Sequence, residues 1–154
     1  MPAPRPIYSV SVDGIALVAA TAKSILEIAT PATTGMVPLM WWVEFDGTTS
    51  SAVPVKVEVG RFSAAVTTAT TVTPARVNDG NRALASQSTV KHSTSTEGAG
   101  TASDVEIHRV PPTSGLVWAE NLGMEWVQGA SGFWRIRCTA AAGVNVTFGI
   151  RWTE

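Results

Sequence analysis

Apolar and polar residues alternate with a period of two through most of this chain. The clearest run covers residues 144–152, where Val, Val, Phe, Ile and Trp alternate with Asn, Thr, Gly and Arg. Similar runs occupy residues 8–12, 53–59, 104–108 and 133–139. Because successive side chains of a strand point to opposite faces, this pattern predicts β-strands with one buried face.

The phase of each run also predicts which residues face the core. In the run 53–59 the valines at odd positions share one face. In the run 104–108 the phase assigns Val105 and Ile107 to the buried face and leaves the polar residues, including His108, in solvent. In the run 133–139 it assigns Cys138 to the apolar face.

Turn-forming residue pairs separate these runs, at Asp13-Gly14, Asp46-Gly47, Asp79-Gly80, Pro111-Pro112 and Ser114-Gly115. Many short strands with one polar face, punctuated by turns, indicate an all-β fold. We predict a single antiparallel β-sandwich or jelly roll over residues 7–154. Residues 1–6 contain three prolines and are expected to form an extended N-terminal arm.

Two segments are less regular. Ile15–Ile28 lacks Gly and Pro, but its alternation favours two short strands, with a helical turn as the alternative. Residues 63–103 form a long Ser/Thr/Ala/Gly-rich excursion. A connection of this length without structure is rare in a compact domain, so it contains a Thr-rich strand over Ala65–Thr73 or becomes ordered against another chain. A mobile surface loop is the remaining alternative.

Composition narrows the classes of partner. The 154 residues carry a formal net charge of −1, and charged residues make up 15%, below the usual level of about 25%. A net charge of −1 provides no electrostatic attraction to nucleic acid or to an anionic membrane, so we expect neither as a partner. Met1–Pro6 lacks the apolar segment of a signal peptide, which predicts synthesis in a cytoplasm. Cys138 is the single cysteine, which excludes an intramolecular disulfide and a cysteine-based zinc site.

Residues suited to catalysis are few. A serine nucleophile needs a histidine partner, and the chain contains only His92 and His108. No serine of the chain lies in a Gly-x-Ser-x-Gly motif. Cys138 and His108 could form a thiolate–imidazolium pair, but the apolar phase of Cys138 favours an inert core thiol. Asp104, Glu106 and His108 share one strand face, where solvated side chains are more common than a metal site. We expect no catalytic residue, no metal and no cofactor.

Six tryptophans are a high number for a chain of this length. Trp41 and Trp42 are adjacent, so on a strand they point to opposite faces and one of them lies outside the core. The outer one is covered by a loop, lies at a subunit interface, or stacks on a sugar. The others follow the apolar phase of their runs and are expected in the core: Trp118, Trp126, Trp134 and Trp152.

Several segments together resemble small structural proteins of tailed bacteriophages. They are Tyr8–Gly14, Lys23–Pro31, Thr71–Arg76, Ala83–Thr89, Ser114–Val117 and Arg151–Glu154. The resemblance implies a jelly-roll or β-sandwich protein of the virion, a head decoration (cement) protein on the capsid exterior. It further implies a homotrimer that binds the major capsid protein where capsomers meet, after synthesis in the host cytoplasm. No catalytic residue accompanies the resemblance.

Decoration requires only surfaces that adhere to protein, and the segments best placed to reach a neighbour are the arm, the tryptophan pair and the excursion. The expected contact residues are Pro2, Pro4, Pro6, Trp41, Trp42, Arg76, Arg82 and His92. The alternatives are a tail, neck or fibre component and a carbohydrate-binding sandwich module.

Overall fold

Residues 5–49, 52–77, 85–97, 100–121 and 126–154 are described by the computed structural model. They form eleven strands, and none of them forms a helix of the length and apolar character needed to cross a membrane. The strands are β1 (Ile7–Leu17), β2 (Ala22–Ala29), β3 (Val37–Phe45), β4 (Val55–Phe62), β5 (Thr68–Val72), β6 (Ala75–Arg76), β7 (Thr89–Thr96), β8 (Ala102–Val110), β9 (Gly115–Ala119), β10 (Phe133–Thr139) and β11 (Val144–Thr153).

The strands form two antiparallel sheets that pack face to face. Sheet A has the order β6-β1-β11-β3-β9, and sheet B has the order β5-β7-β2-β10-β4-β8. Most strands that follow one another in sequence, such as β1 and β2, lie in different sheets, so most pairings join distant parts of the chain. The predicted all-β sandwich is confirmed.

The core lies between the two sheets and follows the predicted alternation. Val146, Phe148, Ile150 and Trp152 of β11 are fully buried, as the closing run predicts. Residues 134, 136 and 138 of β10 are buried on the facing sheet. Full burial of a side chain such as Phe148 contributes about 1.5–3 kcal/mol, so inner faces of this kind hold the sheets together.

Both irregular segments contain strands. Ile15–Ile28 is divided between the end of β1 and the greater part of β2, with a turn after Leu17 and no helix. The excursion 63–103 includes β5, β6 and β7, and β5 lies within the expected strand Ala65–Thr73. The excursion therefore belongs to both sheets. Of the expected arm, Arg5 and Pro6 precede β1, and residues 1–4 lie outside the described residues.

The predicted faces of β8 are wrong. β8 pairs with β4 so that His108 lies opposite Val57 and Ile107 lies opposite Glu58. Val57 belongs to the core, so His108 points between the sheets, whereas Ile107 points away and is 55% exposed. The register with β4 sets these faces, and the polarity of β8 itself does not.

Trp118 lies on the inner side of β9 and is half-buried against the core, but two further apolar residues differ from their predicted positions. Trp126 is half-buried and lies against Gly60, outside the core. Val53 precedes β4 and is 63% exposed, so it does not share the buried face of Val55. These residues lie at sheet edges or in connections, where periodicity does not determine burial.

Candidate functional site

The adjacent tryptophans of β3 face opposite sides of sheet A. Trp41 is 1% exposed and lies in the core, whereas Trp42 is half-buried on the outer side. This is the division that strand geometry predicts. The buried position of Trp41 removes it from the expected contact residues, and Trp42 remains.

Trp42 lies directly over a glycine of the neighbouring strand. Gly149 is its cross-strand partner in β11, and a Cβ built on Gly149 would fall 1.9 Å from the Trp42 Cζ2 atom. No side chain other than hydrogen fits at this position while the indole stays in place. Because Gly149 has no side chain, the Trp42 indole can lie close against the surface of sheet A.

The outer side of sheet A carries an apolar patch around Trp42, next to the polar residues Ser9, Ser11, Glu44 and Thr147. Trp42 lies opposite Val117 as well as Gly149, and Val117 is 69% exposed. One step along the strands, Met40 lies opposite Arg151 and Ala119. We call this surface the open face, and its members are Met40, Trp42, Val117, Ala119, Gly149 and Arg151.

A groove of about 450 Å³ continues the open face toward β1. It is lined by Ile7, Leu39, Met40, Val77 and Arg151. Its lining combines aliphatic side chains with one exposed guanidinium, so it suits an apolar group next to an acidic one. This combination is typical of a protein-binding surface.

Residues 64–66 cover part of the outer side of sheet B, while Ile107 and Arg109 of β8 stay exposed on it. Glu27 and Arg135 lie opposite each other on β2 and β10, and both are fully buried. Arg135 Nε donates to Glu27 Oε2 at 2.7 Å, and the Val66 N–H donates to the same oxygen at 2.8 Å. Arg135 Nη2 donates to the Ala64 carbonyl. Residues 64–66 therefore lie over this ion pair and seal it.

A second ion cluster lies beside the first. Arg137 donates from Nε and Nη2 to both oxygens of Glu58 at 3.1 Å, and Lys56 Nζ lies 2.9 Å from Glu58. The Phe62 ring lies beneath the guanidinium groups of Arg135 and Arg137. Burial alone raises the pKa of Glu58, but the bonds from Arg137 and Lys56 lower it more, and the net pKa is below its ordinary value. These charges compensate one another within sheet B.

His108 packs between two indoles. Its ring centroid lies 5.4 Å from Trp41 and 5.0 Å from Trp118, and its Nε2 atom lies 3.4 Å from Glu106 Oε2. Within the described part of the chain, no three His, Cys, Asp or Glu side chains are grouped as metal ligands would be. His108 of sheet B thus packs against Trp41 and Trp118 of sheet A, and this contact connects the edges of the two sheets.

Cys138 is a core residue, as the sequence predicts. It is fully buried, and burial, with a smaller effect of the Glu58 carboxylate, strongly raises the pKa of its thiol. A thiol with a raised pKa remains protonated at neutral pH and is a poor nucleophile. Its chemistry is that of a small apolar side chain.

The other expected contact residues are dispersed. Arg76 lies in β6, opposite Tyr8, at one edge of sheet A. His92 lies in β7 of sheet B, and burial lowers its pKa. Pro6 precedes β1, and the expected contacts Pro2, Pro4 and Arg82 lie outside the described residues. The structure brings none of the described ones onto the open face with Trp42.

An apolar cleft of about 230 Å³ lies at one end of the sandwich. The described residues that line it are small or aliphatic, including Gly47, Val53, Pro112, Ala141 and Val144, and none is charged. A cleft of this size and lining fits a small apolar group. It provides no acid or base within the described lining.

Sequence patterns single out Trp42 but not the rest of the open face. Met40, Val117 and Arg151 become neighbours of Trp42 only through the registers of β3 with β9 and β11. The one local signal is Gly149, a glycine inside an otherwise regular strand, which often marks a close approach of another group. Comparison of the chain with protein-family models, curated proteins and solved structures finds no match.

Proposed function

We propose that this chain is a structural virion protein that decorates a capsid and binds the major capsid protein through its open face. The observation that carries the proposal is the difference between the two sheets. Residues 64–66 cover part of the outer side of sheet B, whereas Val117 and Trp42 leave apolar surface exposed on sheet A. Large exposed apolar patches on soluble proteins commonly mark interaction sites.

The energetics of decoration fit such a surface. Burial of apolar surface contributes about 25 cal/mol per Å², and a stable interface buries around 1,600 Å² in total. Tryptophan is among the side chains that most often dominate binding energy, which gives Trp42 the central role. A protein that binds the assembled shell but not separate subunits stabilises the shell by mass action.

Arg151 supplies the polar part of this surface. It lies on β11, in the middle of sheet A, and its side chain is exposed beside Met40. A carboxylate on the capsid protein would pair with this guanidinium while apolar residues cover Met40 and Trp42. Such a pair contributes more to specificity than to affinity.

The proposal predicts that a major capsid protein is encoded in the same genome, and shells assembled from that capsid protein test it. We expect the purified protein to co-sediment with these shells and to raise their melting temperature. Arg151→Glu places a carboxylate on the open face and is expected to weaken binding at least tenfold. Arg109→Glu is the matched control, because Arg109 is exposed on β8 of sheet B. Absence of binding, or equal binding by both variants, contradicts the proposal.

A carbohydrate-binding module is the second candidate, and Trp42 is the observation that favours it. A half-exposed indole that lies low on a sheet resembles the stacking platforms that bind sugars through aromatic side chains. Titration of tryptophan fluorescence with polysaccharides tests this function. A shift of the emission in the wild type that Trp42→Phe abolishes would favour sugar binding over decoration.

A further inference from the structure

The two sheets leave two edge strands on the side where β8 and β9 lie, and these edges differ in chemistry. β8 carries Asp104, Glu106 and His108 on the side that faces sheet A. Inward-pointing charged side chains are a common protection against edge-to-edge pairing. β9 carries Leu116 and Trp118 on its inward side and contains no charged residue or proline. Among the described residues, the edge of β9 therefore carries no protection of this kind.

Alternate residues of β9 direct their backbone N–H and C=O groups toward the open edge of the strand. The Ser114 carbonyl and the Glu120 N–H both bond to β3, at 3.1 and 3.0 Å. Because the backbone groups of a strand alternate in direction, Gly115, Val117 and Ala119 direct their N–H and C=O groups away from β3. β9 is the last strand of sheet A, so no strand among the described residues meets these groups.

We propose that β9 is a homodimer interface, at which a second copy of this chain adds its own β9 antiparallel and extends sheet A across a two-fold axis. The axis passes beside Val117, so that Val117 of one copy exchanges both hydrogen bonds with Val117 of the other. In this register Gly115 pairs with Ala119, and Leu116 lies opposite Trp118. The proposal does not depend on capsid binding.

The sequence of β9 is complementary to itself in this register. The outward residues are small at both ends, Gly115 and Ala119, and no like charges meet. Val117, which is 69% exposed in the single chain, gains a lateral contact with its counterpart and stays on the open face. Leu116 and Trp118 are both half-buried, and each gains an apolar partner across the axis. Cross-strand apolar pairs of this kind stabilise a sheet.

The expected dimer is weak and depends on concentration. Five residues per copy bury less than the 1,200 Å² or so at the lower end of stable interfaces. A two-fold contact yields a dimer, whereas the resemblance to phage decoration proteins implies a trimer. The mass of the assembly therefore distinguishes the two.

Sedimentation equilibrium of the whole chain tests the proposal. We expect the wild type to shift from monomer to dimer as its concentration rises. Val117→Lys places two ammonium groups opposite each other and is expected to raise the dissociation constant at least tenfold, while Val117→Thr retains dimerisation. Ile107→Lys on β8 is the matched control, because Ile107 is a similarly exposed residue of the other edge. Circular dichroism verifies that each variant is folded.

Cross-linking tests the register. Cys138 is buried, so Val117→Cys introduces the accessible thiol, and a short bis-maleimide is expected to link two copies. Ile107→Cys is expected to give no linked dimer under the same conditions. A wild type that stays monomeric at millimolar concentration, a trimer, or a dimer that Val117→Lys leaves intact overturns the proposal. None of these outcomes bears on the Arg151→Glu shell-binding assay, which tests the proposed function separately.

Discussion

Arg135 and Glu27 form an ion pair, with 2.7 Å between Nε and Oε2, in which neither side chain is exposed to solvent. The two residues lie directly opposite each other on β10 and β2. Transfer of a charge from water costs several kcal/mol even in a relaxed protein, and a partner in good geometry offsets this cost. The Val66 N–H donates to Glu27 and the Ala64 carbonyl accepts from Arg135, while Glu27 Oε1 and Arg135 Nη1 are buried without a hydrogen bond among the described residues. The position of residues 64–66 is therefore linked to these two charges.

Removal of one partner is expected to be strongly destabilising. Glu27→Ala leaves the Arg135 cation buried without a counter-ion, and we expect the free energy of unfolding to fall by about 3–5 kcal/mol. The double variant Glu27→Leu/Arg135→Met removes both charges and is expected to recover most of that loss. Urea unfolding followed by tryptophan fluorescence gives the values. A loss below about 1 kcal/mol for Glu27→Ala would mean that the pair is solvated.

The contact between Gly149 and Trp42 predicts a coupled pair of substitutions. Gly149→Ala places a Cβ within 1.9 Å of the Trp42 ring, and we expect a loss of about 1–3 kcal/mol as the indole is displaced. In a Trp42→Ala background the same change should cost little, so a double-mutant cycle gives a clear coupling energy. Gly143→Ala is the control, because its Cβ would meet just the Leu17 carbonyl at 3.8 Å. Additive costs at positions 42 and 149 would contradict the contact.

Local periodicity correctly predicts the buried face of a strand where the apolar residues of that strand alone determine the face. The run 144–152 is such a case, because Phe148 and Ile150 lie in a central strand with a core on one side. β8 is the opposite case, since its pairing with Val57 turns His108 inward and Ile107 outward. Arg135 is on the predicted polar side of β10, yet residues 64–66 bury it. Long-range pairing determines these features, and a single sequence does not reveal it.

The same limit applies to the candidate site. Adjacency alone places Trp41 and Trp42 on opposite faces, so one exposed indole is predictable. That Val117 and Gly149 flank Trp42 depends on the registers of three strands that are far apart in sequence. The apolar extent of the open face therefore emerges only from the assembled sheet.

Glu154 gives the fold a specific acid sensitivity. Burial alone raises the pKa of its carboxyl, but hydrogen bonds from Ser86, the Gln87 and Ser88 N–H groups and the Trp152 indole outweigh burial and lower the pKa below its ordinary value. A carboxyl whose pKa is lowered in the folded state stabilises the fold above its unfolded pKa. That contribution is lost as pH falls through the folded value.

We therefore expect Glu154→Gln to reduce stability at neutral pH and to flatten its decline below about pH 4.5. Urea unfolding from about pH 7 to pH 3 measures this dependence. Glu44→Gln is the matched control, because it makes the same substitution at an exposed carboxyl of β3. If Glu154→Gln and the wild type decline in parallel, the hydrogen bonds to Glu154 do not act as described.

Cys138 provides a probe of how the sandwich opens. It lies three residues from Arg135 on β10, it is fully buried, and its raised pKa keeps the thiol protonated. A thiol reagent such as dithionitrobenzoate should therefore react only with molecules in which the sheets have separated. In that regime the labelling rate follows the population of open molecules.

Since about 1.4 kcal/mol corresponds to a tenfold change in an equilibrium, Glu27→Ala should accelerate labelling by at least about 100-fold. Ile107→Cys should react at once in the native protein, and equally fast native labelling of Cys138 would show that the core around β10 is open to solvent.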